Sequence, residues 1–286
     1  MSTAIDSSIR CSNSTDAQFR AWAAFIHSVF ILGLINTADS GQVDLATVVK
    51  PSVINTAQGY KVYRTNDGLT NVYIKIEYGS GGNAGYPSIW VTVGTATDGA
   101  GTIGGVILLS RTQITCSIND AVNTNVCFGS GATDRVCFAV FLSISTAPFW
   151  FSLERRRDAN LANADTGVII DWGLATTGHK SLCAPFAGVI PTPELGLPFV
   201  LSSNNPAAYG SVIPEGLRIP CLGPTESPGI NVAACMANDW GAFATPTLTI
   251  NSVDHVFKHC GSNISTLRNG VGGPFDAQTR LLLRYE

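Results

Sequence analysis

Charged side chains are scarce in this chain of 286 residues. Asp, Glu, Lys and Arg make up 13% of it, whereas about 25% is usual for a soluble domain. The 17 basic and 20 acidic residues give a net charge of −3. The chain therefore lacks the basic face with which nucleic-acid-binding proteins contact phosphates. Low charge together with 45% hydrophobic residues predicts apolar surface that contacts other protein subunits.

The chain also lacks a hydrophobic run long enough to cross a membrane, which takes about 20 residues. The longest run extends from Ala21 to Ile35 and is interrupted by His27 and Ser28. A basic segment followed at once by an apolar one, as in a secretory signal, is not seen at the N-terminus. We therefore expect no membrane span, and synthesis in a reducing cytosol.

Motifs that indicate catalysis or cofactor binding are few and incomplete. Residues 99–104 match the G-x-G-x-x-G pattern, but the apolar run after them predicts a strand, whereas the dinucleotide motif requires a helix. His255 and His259 would share one face of a helix, yet the same segment fits a strand equally well and offers no third metal ligand. No G-x-S-x-G motif is present. We expect a protein that is not an enzyme and holds neither cofactor nor metal.

The eight cysteines are spread along the chain, and no two have the C-x-x-C spacing of zinc ribbons or redox proteins. Two interpretations stay open: buried thiols, or disulfides that form late, after release from the cell. The candidate disulfide residues are Cys11, Cys116, Cys127, Cys137, Cys183, Cys221, Cys235 and Cys260.

An amphipathic signal near the N-terminus predicts one α-helix. Thr15 and Gln18 have the spacing of a capping box, and apolar residues then recur at helical intervals. Apolar residues also occupy the opposite side, so the helix must be covered on more than one face, by this chain or by a neighbouring subunit. The residues predicted to form an assembly interface are Phe19, Trp22, Ile26, Val29 and Phe30.

After residue 38 the pattern changes to that of β-strands. Residues 72–78 alternate cleanly, which places Val72, Ile74, Ile76 and Tyr78 on one face, and a glycine-rich tip at 79–85 leads to a second strand at 89–93. The ranges of the other predicted strands are 60–64, 106–110, 136–143, 149–155, 167–171, 248–251 and 280–285.

These patterns predict a mainly β fold. We expect an N-terminal extension with a docking helix (1–38) and a β-rich main domain (39–286) with a loop-rich, proline-rich region at about 183–246. The predicted architecture is a β-sandwich-like, jelly-roll-type domain with one or two β layers, one N-terminal helix and long Pro/Gly-rich loops. The charge run Glu154–Asp158 predicts a balanced surface patch or a contact site.

Several segments of the chain resemble structural proteins of tailed bacteriophages, of the tail- or baseplate-associated type. The segments that carry the resemblance are Trp22, 39–44, 59–68, 72–79, 93–95, 98–101, 151–158 and 281–286. The resemblance implies a structural protein of the virion that contacts other virion proteins and copies of itself, often around a symmetry axis. It transfers no catalytic residue. Head decoration and collar positions are alternatives, and disulfides formed outside the cell would cross-link subunits.

Two other functions stay open from the sequence alone. A carbohydrate-binding receptor module would need exposed tryptophans along a groove, drawn from Trp90, Trp150, Trp172 and Trp240. A hydrolase of surface polysaccharides would need a pair of neighbouring carboxylates, which sequence spacing does not reveal.

Overall fold

The structure is a computed structural model that describes residues 3–116, 125–141, 149–158, 162–174, 178–192, 194–195, 200–201, 226–227, 231–235, 245, 247–250, 253–260 and 280–286. Its helix is α1 (Asp16–Phe30). The strands are β1 (Thr3–Ile9), β2 (Ile35–Asn36), β3 (Ala57–Arg64), β4 (Tyr73–Ser80), β5 (Pro87–Thr97), β6 (Ile103–Thr115), β7 (Asn125–Ala132), β8 (Arg135–Phe141), β9 (Phe149–Asp158), β10 (Asn163–Leu174), β11 (Gly178–Pro185), β12 (Glu194–Leu195), β13 (Val200–Leu201), β14 (Glu226–Ser227), β15 (Val232–Cys235), β16 (Thr247–Ile250), β17 (Val253–His259) and β18 (Arg280–Arg284).

These strands form three sheets. The central sheet has the order β1-β7-β8-β9-β10-β11-β12, with β14 paired to β9. The N-terminal sheet is a meander of β2 to β6 in sequence order, and the C-terminal sheet has the order β13-β15-β18-β17-β16. The described pairings are antiparallel except that of β13 with β15.

The central sheet is buried on both faces because each face supports a separate core. One face packs with α1 and the N-terminal sheet in a cluster that contains Trp22, Ile76 and Phe151. The other face packs with the C-terminal sheet, where Trp150 belongs to the same cluster as Leu283. Strand β9 lies in the middle and is buried along nearly its whole length, as expected for a strand covered on both sides.

The predicted fold class is confirmed: the chain is mainly β and sandwich-like, with one N-terminal helix. Helix α1 begins after the predicted cap, where the Thr15 hydroxyl accepts a hydrogen bond from the Gln18 amide at 3.2 Å. The predicted face of the 72–78 strand is also confirmed, since Val72, Ile74, Ile76 and Tyr78 are all fully buried.

The N-terminal segment 1–38 contributes directly to this arrangement. Strand β1, which the sequence did not predict, forms one edge of the central sheet by pairing with β7, and α1 lies in the first core. Most of the predicted loop-rich region 183–246 lies outside the described residues.

Candidate functional site

The apolar side of α1 faces the interior of this chain. All five residues predicted to form an assembly interface are fully buried: Phe19, Trp22, Ile26, Val29 and Phe30. The ring of Phe30 packs against Tyr63 of the N-terminal sheet at 4.6 Å and against Phe151 of the central sheet at 6.2 Å between centroids. The two sheets therefore provide the cover that the helix requires, and these five residues have no exposed surface with which to dock on another subunit.

Exposed apolar side chains occur instead on the loop between β2 and β3. We call residues 44–56 the apolar loop. Val49, Val53 and Ile54 are 58%, 59% and 52% exposed, and they are among the most exposed large hydrophobic residues of the described structure. Large apolar side chains that lie close together in sequence and face solvent are typical of contact surfaces between proteins.

The apolar loop is held at its first half by helix α1. The Arg20 guanidinium donates to the Val48 carbonyl at 2.7 Å and to the Thr47 carbonyl at 3.2 Å. The Lys50 amide donates to the Asp16 carboxylate at 3.0 Å. The only two charged side chains of α1 thus fix the backbone of the loop.

The second half is held by the β4–β5 hairpin. The Ser80 hydroxyl donates to the Val53 carbonyl at 2.8 Å, and the Asn55 amide donates to the Gly81 carbonyl at 2.9 Å. These bonds involve the loop backbone, so the side chains of Val53 and Ile54 are left on the outside. The loop presents apolar groups on a backbone whose position is fixed.

The charge run Glu154–Asp158 is not a surface patch, so that prediction is wrong. It forms the end of β9, and Arg155 is fully buried. The Arg155 guanidinium donates to Asp67 in a bidentate pair and to the Thr70 carbonyl at 2.8 Å. Acidic partners from distant parts of the chain therefore compensate the arginine inside the fold, as buried charges require.

Buried carboxyl groups lie on the face of the central sheet that supports the C-terminal sheet. Glu154 accepts a hydrogen bond from the Asn231 amide at 2.8 Å, and the Arg135 guanidinium donates to the Asn231 side chain at 3.1 Å. Burial raises the pKa of Asp171 well above its ordinary value, and nearby Glu154 raises it further. Both carboxyls are at most 1% exposed, so they are not accessible to a polysaccharide in this state.

The two histidines considered as metal ligands lie on strand β17. A strand advances about 3.3 Å per residue, so positions 255 and 259 are roughly 13 Å apart along it, too far to share one ion. Burial, followed by the charges of Arg284, Arg157 and Arg135, lowers the pKa of His255 to about 4. Among the described residues, no group of three or more His, Cys, Asp or Glu side chains has the arrangement of a metal site.

The described cysteine side chains are buried thiols, and no two of them lie at disulfide distance. They are Cys11, Cys116, Cys127, Cys137, Cys183 and Cys260. Burial raises the pKa of Cys127 and of Cys137 to about 12. Cys221 and the side chain of Cys235 lie outside the described residues.

The tryptophans proposed for a sugar-binding groove are in the interior. Trp90 is 4%, Trp150 0% and Trp172 1% exposed, while Trp240 lies outside the described residues. The guanidinium of Arg111 covers the Trp90 ring at 4.6 Å. The three described rings therefore offer no flat apolar surface to a sugar. The glycine pattern at 99–104 covers the turn between β5 and β6 and the first two residues of β6, as its interpretation as a hairpin predicts.

Within the described residues, no helix has the length and hydropathy to cross a membrane. Comparison with known proteins returned no matching family model, no matching curated protein and no matching solved structure.

Proposed function

We propose that this chain is a non-enzymatic structural component of a tailed-phage virion, in the tail or baseplate, and that it assembles through apolar contacts with its neighbours. The observation that carries the proposal is the exposure of Val49, Val53 and Ile54 on a loop fixed by hydrogen bonds at both halves. The low charge of the chain and its resemblance to phage structural proteins support the same function.

A fixed apolar loop suits permanent assembly for a physical reason. Fully burying one valine or isoleucine side chain contributes about 1.5–3 kcal/mol, and a loop already held in place loses little conformational entropy when it binds. In a closed ring every subunit repeats the same contact. Three such side chains for each subunit would therefore stabilise a symmetric assembly without charged contacts.

The first test is the mass of the purified protein by light scattering, at concentrations up to about 100 μM, for the natural chain and for Val53→Asp. The Val53 side chain points outward, so the added charge leaves the fold intact and opposes burial of the loop. We expect an oligomer for the natural chain and a monomer for Val53→Asp. Ser110→Asp adds the same charge on exposed β6 and is the control. A monomeric natural chain, or an oligomer unaffected by Val53→Asp, would contradict assembly through this loop.

The virion location has its own test. Mass spectrometry of purified particles of the phage that encodes the chain should detect it at a fixed copy number, and antibody labelling in electron micrographs should mark the tail or baseplate. Label on the head or collar would instead support the decoration or collar alternative. Absence from purified particles would reject a virion role.

A further inference from the structure

One imidazole and two hydroxyl groups are joined by hydrogen bonds between α1 and the N-terminal sheet. Nδ1 of His27, in the last turn of α1, lies 2.8 Å from the Tyr63 hydroxyl on β3. The Tyr63 hydroxyl lies 3.1 Å from the Tyr78 hydroxyl on β4. His27 is partly exposed, whereas both tyrosines are fully buried. These hydrogen bonds thus connect a side chain at the surface to two side chains in the interior.

The direction of these bonds follows from the number of protons. Each hydroxyl has one proton to donate, and a neutral imidazole has one nitrogen that accepts. Burial raises the pKa of both tyrosines above the ordinary value, so both keep their protons. If Tyr78 donates to Tyr63 and Tyr63 donates to neutral His27, every hydroxyl proton has an acceptor. The opposite direction leaves the Tyr78 proton without an acceptor, which is unfavourable for a buried group.

We propose that His27, Tyr63 and Tyr78 form an acid-sensitive latch. When His27 gains a proton, Nδ1 becomes a donor, the two hydrogen bonds reverse, and the Tyr78 hydroxyl loses its acceptor. The contact between α1 and the N-terminal sheet is then weakened. This inference does not depend on the proposed virion role.

Charged groups near the latch also oppose protonation. Lys61 lies two residues before Tyr63 on β3 and therefore on the same face of the strand. Burial, followed by the positive charge of Lys61, lowers the pKa of His27 below its ordinary value. The charged residues of α1 itself, Asp16 and Arg20, are bonded to the apolar loop near the other end of the helix.

Among the described residues of the central sheet, no charged side chain compensates the protonation of His27. The face of β7 and β8 that packs against α1 carries Cys127, whose thiol stays neutral because burial raises its pKa to about 12. On β1, Asp6 is paired with Lys258 of the C-terminal sheet at 3.0 Å. Of the charged groups that the structure describes, Lys61 is thus the one that acts on His27.

A lowered pKa in the folded state makes stability depend on pH in a defined direction. The unfolded chain binds a proton at His27 near pH 6.5, whereas the folded chain binds it only at a lower pH. The contribution of neutral His27 to the free energy of unfolding is therefore complete above about pH 6.5. It is lost as the pH falls towards the pKa of His27 in the folded state. Each unit by which the pKa is lowered corresponds to a change of about tenfold in the folding equilibrium.

The decisive experiment is NMR titration of His27 from pH 4 to 8 in the natural chain, Tyr63→Phe and Tyr78→Phe. In Tyr63→Phe, protonation no longer costs the Tyr78 hydroxyl its acceptor, so the His27 pKa should rise. In Tyr78→Phe, protonation still leaves one hydroxyl without an acceptor, on Tyr63, so the pKa should stay near that of the natural chain. An unchanged or lower pKa in Tyr63→Phe would show that burial and Lys61 act alone, and would overturn the latch.

A second measurement applies even where a tyrosine variant does not fold. His27→Gln keeps a side-chain acceptor but gains no proton. Its unfolding free energy in urea should decline less between about pH 6.5 and 5 than that of the natural chain. Part of the decline remains in both proteins, because the pKa of His255 is lowered as well. The protection of the α1 amides against hydrogen exchange, taken relative to the intrinsic exchange rate at each pH, should also fall in acid in the natural chain and not in His27→Gln. The same acid response in both proteins would contradict the proposal.

Discussion

The indole Nε1 of Trp22 donates a hydrogen bond to the side-chain oxygen of Asn13 at 3.0 Å, in the interior of the protein. The amide nitrogen of Asn13 lies within 3.3 Å of three carbonyls of the β4–β5 hairpin, those of Gly79, Ala84 and Tyr86. The Asn13 side chain therefore joins α1 to the tip of the hairpin, and both its oxygen and its nitrogen have hydrogen-bond partners.

Replacing Asn13 with Ala should lower the free energy of unfolding by about 3 kcal/mol, because several buried polar groups lose their partner at once. Urea denaturation measures this loss. Asn71→Ala, at an exposed position, is the control and should change stability by no more than about 0.5 kcal/mol. Similar small effects for both variants would show that water replaces Asn13 without cost.

Two bidentate arginine–carboxylate pairs, one buried and one partly exposed, allow a comparison. Arg155 with Asp67 is buried, whereas the Arg111 side chain that pairs with Glu77 is 51% exposed. Arg155→Met should cost about 3–5 kcal/mol because Asp67 is left without its cation, whereas Arg111→Met should cost less than about 1 kcal/mol. Urea denaturation of both variants measures the two losses.

The double variant Arg155→Met with Asp67→Asn checks the cause of the larger loss. It should be more stable than Arg155→Met alone, since Asp67 no longer places an unpaired charge in the interior. A double variant that is less stable by the sum of the two single effects would mean that the pair is not coupled.

Gly33 marks the closest approach of the chain after α1 to the β7–β8 turn. A β-carbon at this position would overlap the backbone carbonyl of Ala132, whereas one at Gly82 meets nothing within 4 Å. Gly33→Ala should therefore destabilise the protein by about 2 kcal/mol, and Gly82→Ala should cause no loss. Thermal unfolding of the two variants gives the comparison, and equal midpoints would argue against this close contact.

The burial of the thiols predicts low chemical reactivity in the native protein. Since the thiolate is the reactive form, groups whose pKa is about 12, such as Cys127 and Cys137, should resist alkylation at pH 8. Six of the eight cysteines are buried thiols, so at most two should react rapidly. Mass spectrometry after a short alkylation tests this. Rapid labelling of more than two would show that the buried cysteines become exposed, and complete labelling in urea is the control.

Sequence reasoning succeeded where the signal is local. The cap at Thr15 and the alternation through 72–78 each involve residues a few positions apart, and both are confirmed. The apolar residues all around α1 correctly indicated cover on more than one face. Whether that cover came from this chain or from a neighbour depended on how distant strands fold back, which periodicity does not encode.

The features that the sequence predicted wrongly or did not predict depend on partners far away along the chain. Arg155 is paired with Asp67 across 88 positions, so a charge run that looks like surface is neutralised inside. Strand β1 is mostly polar and gains its order from pairing with residues 125–131. The exposed side chains of the apolar loop are likewise visible only once the fold shows which hydrophobic residues remain outside the core.

The second core also has a consequence for biosynthesis. This core is completed by side chains near the end of the sequence, among them Leu283 and Tyr285, which pack on residues such as Phe128. During translation, one face of the central sheet therefore stays uncovered until residues 280–285 have left the ribosome. In this interval the nascent chain exposes apolar surface that is prone to aggregation. The yield of soluble protein should depend on elongation speed and on the chaperones that bind the chain before release.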